Sequence, residues 1–173
     1  MKNLVLYNKY NRKEVHDYFV PNGKFTPMAG TWGLHGCVYV PNTDHDYVFF
    51  VTYGQTQGNH IFQEGINDEG ILTWQSQPRQ HLNEKRVLRW ISQNDYRDKI
   101  YLFIREKKGI PYTYLGEIDY LSHDEFKEYP VWFQYKLNNW EKNEFTKCFV
   151  RNSTKIIREK LSFDQNYKKS KKL

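Results

Sequence analysis

Between Tyr47 and Tyr53 every position but one carries an apolar or aromatic side chain. In an extended backbone successive side chains alternate between faces, so Tyr47, Phe49, Val51 and Tyr53 share one side, and Val48, Phe50 and Thr52 the other. Both sides are largely apolar, so neither can be left in water. The stretch must be a central strand covered on two faces, and a sheet must be built around it. Aromatic residues make up 17% of the chain while Ala and Met are scarce. The core therefore comes from rings and β-branched side chains, which favour pleated surfaces over helices.

The rest of the chain supplies partners for that strand. Asn11 followed three positions later by Glu14 has the spacing of a helix capping box, and Val15, Tyr18 and Phe19 form an apolar stripe, which predicts a helix over 12–19. Pro21-Asn22-Gly23 ends it, and Gly30, Gly33 and Gly36 around Trp32 read as a loop. Strands are expected over 37–40, 47–53, 71–75, 100–105, 112–118 and 131–137, with a brief extended piece at 61–63. Asn83 is placed to cap a second helix over 84–92 that buries Val87, Leu88 and Ile91. Helical periodicity returns over 139–150 and 153–163. This order predicts an α+β fold, a twisted and mostly antiparallel sheet closed into a barrel-like shape with flanking helices.

At 173 residues the chain suits one domain with an appendage. Its formal charge of +6 is unevenly placed: residues 1–137 hold 16 Lys/Arg against 16 Asp/Glu, and residues 138–173 hold 10 against 4. The expected division is a recognition domain over 1–137 and a basic helical appendage over 138–173, ending in Lys168-Lys169-Ser170-Lys171-Lys172. Such an appendage either attracts phosphates or simply keeps the chain in solution. Cys37 and Cys148 are too few and too far apart for a disulfide scaffold or a zinc site, so reduced thiols and a cytoplasmic location are expected. Leu4-Val5-Leu6 is far short of a signal-peptide core or a membrane span.

Function points to the strand exits. Phe49 to Tyr53, and after a loop Thr73-Trp74-Gln75-Ser76-Gln77 with Arg79, bring rings, amides and a guanidinium to the ends of two strands. That equipment suits a flat polar ligand such as a nucleobase, held by stacking and edge hydrogen bonds. Arg79, Lys85, Arg86, Lys107 and Lys108 are the candidate DNA-backbone contacts, though each also reads as an ordinary solvated cation. A metal-dependent nuclease built on Asp98, Glu106 and Lys108 has the right residue types, but Glu106 and Lys108 fall in a charged turn rather than inside a strand. No phosphate-binding glycine loop, nucleophile elbow or zinc spacing occurs, so no catalytic residue, metal or cofactor is expected.

Tyr7-Asn8-Lys9-Tyr10-Asn11-Arg12-Lys13-Glu14-Val15, Phe50-Val51-Thr52-Tyr53, Trp74-Gln75-Ser76-Gln77, Leu102-Phe103-Ile104-Arg105 and Tyr114-Leu115-Gly116 occur in that order over about residues 5–137. This series resembles the C-terminal specificity domain of SauUSI-type modification-dependent (type IV) restriction enzymes, where it follows a nuclease and a helicase. That domain is similar to the SET- and RING-associated (SRA-like) readers of 5-methylcytosine, which have a barrel-like fold related to pseudouridine-synthase RNA-binding modules. The resemblance implies a non-enzymatic unit of a restriction system that binds double-stranded DNA and flips a modified base into a pocket. It also leaves open whether the chain is a whole protein or part of a larger enzyme.

In that pocket Tyr53, Phe62 and Trp74 are the ring candidates. Glu64 and the carbonyls of Gln75 and Gln77 are acceptors, and Ser76 and the amide groups are donors. Trp74, Tyr53 and Glu64 each have an ordinary reading as well, as core rings and a solvated carboxylate. Two positions depart from the family pattern: Gly54-Gln55 stands where a basic pair is usual, and Phe62-Gln63-Glu64 where an aromatic-x-Asp is usual. Both bear on the ligand, and the runner-up is a reader of another DNA mark such as a phosphorothioate backbone.

Overall fold

A computed structural model of the chain describes residues 3–151. In chain order it comprises β1 (Lys9–Tyr10), α1 (Arg12–Phe19), α2 (Gly30–Leu34), β2 (Cys37–Tyr39), β3 (Tyr47–Thr52), β4 (Thr56–Gln57), β5 (His60–Ile61) and β6 (Gly65–Ile66). Then follow β7 (Ile71–Gln75), α3 (Lys85–Ile91), β8 (Ile100–Arg105), β9 (Tyr112–His123), β10 (Trp132–Leu137) and a 3-10 turn, Thr146–Phe149. Eight strands form one sheet in the order β2-β3-β8-β9-β10-β7-β6, with β1 added on β9, and β4 and β5 form a separate hairpin. Neighbours are antiparallel except β3 and β8, which run parallel. The α+β, mostly antiparallel expectation holds. β3 is buried at all six positions, as its two apolar faces require.

One face of the sheet packs on α1 and α2 through Val15, Val38, Val48, Phe50, Phe103 and Tyr112. The other encloses the main core with α3, and here the barrel expectation is revised. The hydrogen-bonded path is open among the described residues, beginning at β2 and stopping at β6. The sheet halves meet instead through rings. Phe49 on β3 stacks on Trp74 of β7 with centroids 4.6 Å apart, although β8, β9 and β10 lie between these strands in the sheet. Trp90 of α3 meets both edge-on, at 5.8 and 5.1 Å. β9 makes this curl possible: its first half pairs with β8 and its second with β10. A register shift opposite Tyr101 and Phe103 marks the change, and Gly116 takes the left-handed backbone (φ 89°) that such a bulge demands.

Helix α1 has both halves of the predicted capping box, with Asn11 accepting from the Glu14 N–H and Glu14 accepting from the Asn11 N–H. In α3 two expectations are corrected. Glu84, not Asn83, holds the cap position, and it supplies no side-chain cap because its carboxylate accepts from Gln80 Nε2 at 2.6 Å. Leu88 faces solvent and Trp90 takes the buried place, so the stripe is Val87, Trp90 and Ile91. The predicted loop at 30–34 is the short helix α2, and the strand expected over 112–118 runs on to His123.

The helix expected over 139–150 is absent, and only the 3-10 turn forms there. Residues 138–151 belong with the body. Tyr53 Oη donates to the Phe149 carbonyl at 2.6 Å, and Trp140 Nε1 donates to the Asp68 carbonyl at 3.1 Å. Trp140 also covers Gly70 (φ 76°) so closely that a Cβ there has no room. The predicted helix over 153–163 and the lysine run lie outside the described residues. Among the described residues no helix is long and apolar enough to cross a membrane.

Trp74 joins the two halves of the sheet, so Trp74→Ala is expected to lower the unfolding free energy by about 3–5 kcal/mol, the usual loss for a buried Trp. Urea denaturation checks this, and a loss under about 1 kcal/mol would place the ring outside the closing contact.

Candidate functional site

The sheet leaves a gap where its path ends. β2 pairs with β3 as far as Cys37 opposite Phe49, and the Gly36 carbonyl still accepts from the Phe50 N–H at 2.7 Å. Beyond that point Val51 and Thr52 have β8 on one side and no paired strand on the other. A cavity of about 490 Å³ opens there, within the roughly 300–1,000 Å³ of small-molecule sites. Trp74, Trp90 and Phe62 line it together with Gln55 to Gln57 at the start of the β4–β5 hairpin and with His35 to Cys37. Glu64, Gln75, Gln77 and Gln80 supply polar groups, and Arg86 reaches it from α3.

Glu64 is the chemically distinct member. Burial pushes its carboxyl up to about 8, opposed only in part by the Gln75 backbone N–H that bonds it. Among the described residues no Lys, Arg or His lies within 4.0 Å of it as an ion-pair partner. That shift favours the neutral acid, which offers one O–H donor beside one carbonyl acceptor. A solvated carboxylate offers acceptors alone, so the expected role of Glu64 as acceptor becomes a paired donor and acceptor.

The structure brings together five of the seven predicted pocket residues: Phe62, Glu64, Trp74, Gln75 and Gln77 all line the cavity. Trp74 is 5% exposed and covered by Phe49, so it forms a wall and leaves no free face for stacking. The Gln75 Oε1 already accepts from the Gln63 N–H at 2.7 Å, which leaves its amide N–H groups. The other two lie elsewhere. Tyr53 is held in the core, with its hydroxyl on Phe149 and the Arg151 guanidinium over its ring at 4.8 Å. Ser76 is fully buried, and its Oγ accepts from the Val131 N–H at 2.9 Å, tying β7 to the start of β10.

Of the predicted backbone contacts, Arg79, Lys85, Arg86, Lys107 and Lys108 are all exposed, and Arg86 alone lines the cavity. The sequence reading missed Trp90, His35 and Cys37 at this site. Trp90 looked like one more apolar position on a helix, and nothing local marks a loop and strand start that meet the cavity only through pairing with β3. Burial pushes the Cys37 thiol well above the ordinary range, which disfavours the reactive thiolate.

The alternative metal site does not assemble. Asp98 precedes β8 and Glu106 and Lys108 follow it, so the strand separates them by about 25 Å at roughly 3.3 Å per residue. Asp98 is instead held by Arg97 Nε at 2.6 Å and by the Asn94 N–H at 2.9 Å. Among the described residues no group of three His, Cys, Asp or Glu side chains could hold a metal ion.

The curled, incompletely closed sheet with a cavity at its open end is the SRA type of fold. The solved structure of the SUVH5 SRA domain in complex with fully methylated CG DNA aligns with a TM-score of 0.51. The alignment covers 80% of this chain and 91% of that one, at 12% identity, and so shows the fold alone. No curated protein matches the sequence. Residues 4–149 match the family described as Domain of unknown function (DUF3427), and the chain belongs to that family.

Because the folded state raises the Glu64 pKa from 4.5 to about 8, its contribution to stability is full below about 4.5 and is lost as pH rises through 8. Melting temperatures of the parent are thus expected to fall across this window relative to Glu64→Gln. Parallel curves would show a carboxyl that ionises normally.

Proposed function

We propose that this chain is a non-catalytic DNA-reading domain that takes one modified cytosine, flipped out of a duplex, into the cavity beside Glu64. The observation that carries the reading is a carboxyl that lines an open, ring-walled cavity with no cation beside it among the described residues, where burial favours its neutral form. A neutral acid matches the Watson–Crick edge of cytosine at two points: its O–H donates to N3 and its carbonyl accepts from the N4 amino group. Guanine presents two adjacent donors, N1–H and N2–H, which a neutral acid does not satisfy. The fold shared with an SRA domain crystallised on fully methylated CG DNA supports the same reading.

Phe62 supplies ring surface in the cavity, where Trp74 and Trp90 are buried walls, and the free amide groups of Gln75 and Gln77 complete the polar contacts. Arg79, Lys85 and Arg86 on one side, and Lys107 and Lys108 at the β8–β9 turn, hold the duplex by its phosphates. Tyr53 and Ser76 act through the architecture. The resemblance in sequence to SauUSI-type enzymes supports a role in a restriction system, beside nuclease and helicase modules of the same or a partner chain. A methyl group contributes only about 0.8 kcal/mol on burial, so discrimination depends on coupling to base flipping.

The test is a binding titration of matched duplexes carrying cytosine, 5-methylcytosine, hydroxymethylcytosine or a phosphorothioate, from pH 6.5 to 9. The parent is expected to prefer a modified cytosine and to lose that preference above about pH 8. Glu64→Gln, which keeps a donor beside an acceptor, should retain the preference and flatten its pH dependence, and Glu64→Ala should abolish it. Equal binding of all four duplexes by the parent would refute the proposal.

A further inference from the structure

Two guanidiniums on the other face of β3 are left without an anion. Arg12, the first residue of α1, donates through Nη1 to the carbonyls of Trp32 at 2.9 Å and His35 at 2.8 Å, and lies 4.1 Å over the Phe50 ring. Arg105, the last residue of β8, donates from Nε to Thr52 Oγ1 at 2.8 Å and from Nη1 to the Ile110 carbonyl at 3.4 Å. The two share the Tyr112 ring, Arg12 at 5.5 Å and Arg105 at 4.3 Å from its centroid. Among the described residues neither has a carboxylate within 4.0 Å. Burial and repulsion from Arg105 both push the Arg12 pKa down.

Holding two half-buried like charges on one ring with only neutral partners is unfavourable. Fixing α1 and α2 against β3 accounts for Arg12 on Phe50, but it does not account for a second guanidinium beside it. Each side chain still has unused N–H groups in the planar fork that fits a phosphate at two points. Their position is also specific, because Phe50, Thr52 and His35, which they touch, all line the cavity of Glu64.

We infer that Arg12 and Arg105 form a phosphodiester-binding site for the strand whose nucleotide enters the cavity, an assignment that rests on the DNA-reading proposal for the source of its phosphate. The pair grips the backbone beside the extruded nucleotide and reads no sequence. Its effect on affinity is therefore uniform across modified and plain duplexes, whereas Glu64 acts on the difference between them.

The experiment measures duplex affinity against salt for the parent, Arg105→Gln, Arg105→Lys and Glu64→Ala, with melting temperatures as the control for folding. Loss of one phosphate contact flattens the slope of log K against log salt by about 0.9. Arg105→Gln is expected to show that change, with about tenfold weaker binding of modified and plain duplexes alike. Arg105→Lys should keep the slope and bind less tightly, and Glu64→Ala should keep the slope and lose the preference. An unchanged slope and affinity in Arg105→Gln, with an unchanged melting temperature, overturns the site.

A second arm uses inorganic phosphate at constant ionic strength. It should raise the melting temperature of the parent but not of Arg105→Gln or Arg12→Gln. If the parent binds no duplex yet responds to phosphate through these arginines, the base-reading proposal fails and the anion site stands. If it shows neither response, both fail.

Discussion

The contact between Phe49 and Trp74 sets the shape of this protein. The two rings come from strands with three others between them in the sheet, and they can stack at 4.6 Å only if the sheet curls until its ends face one another. Stacked aromatic pairs add about 0.5–1.5 kcal/mol beyond the area they bury, and here the pair is the centre of a larger group. Trp90 and Tyr135 both meet Phe49 edge-on, and Trp74 also packs on Phe133. Curling the sheet removes all of these rings from water together. The bulge at Gly116 supplies the local freedom, because one long strand must pair with β8 in its first half and β10 in its second.

Closure by rings rather than by backbone pairing has a chemical consequence. A hydrogen-bonded barrel has no free edge, whereas a sheet closed through side chains keeps two. The edges of β3 and of β6–β7 meet across the cavity, and the β4–β5 hairpin covers part of the opening. Polar groups collect there because loop and edge backbone must be satisfied. Gln75, Ser76 and Gln80 commit hydrogen bonds to that task. Glu64 stands apart, since among the described residues its carboxyl has the Gln75 N–H to bond and no cation within 4.0 Å, and burial raises its pKa. Across β3 the arginines show the converse, positive groups with no carboxylate within 4.0 Å among the described residues.

Much of this was legible from residue order. The alternation of Tyr47 to Tyr53 announces a doubly covered strand, and Asn11 with Glu14 announces a helix start, because both signals depend on near neighbours alone. Five residues expected at one pocket do line one cavity. The misreadings have a common cause. Tyr53 and Ser76 sit beside cavity residues in sequence, but their hydroxyls serve Phe149 and Val131, partners 96 and 55 positions away. Leu88 and Trp90 point to opposite sides of α3, and the side carrying the ring is buried because Phe49 and Trp74 form its socket. Residues 139–150 have helical spacing, yet contacts to Tyr7, Tyr53 and Asp68 hold most of them in an irregular path.

Read alone, the chain predicts an α+β fold around an apolar central strand, with rings and amides at the strand ends. Alternation, capping and composition act over a few residues, and they survive any choice of long-range partner. The cavity, the upward shift of the Glu64 pKa and the meeting of Arg12 with Arg105 were decided by the tertiary structure. Each depends on which distant segments the curl of the sheet brings within a few ångströms, and on how much water those segments displace.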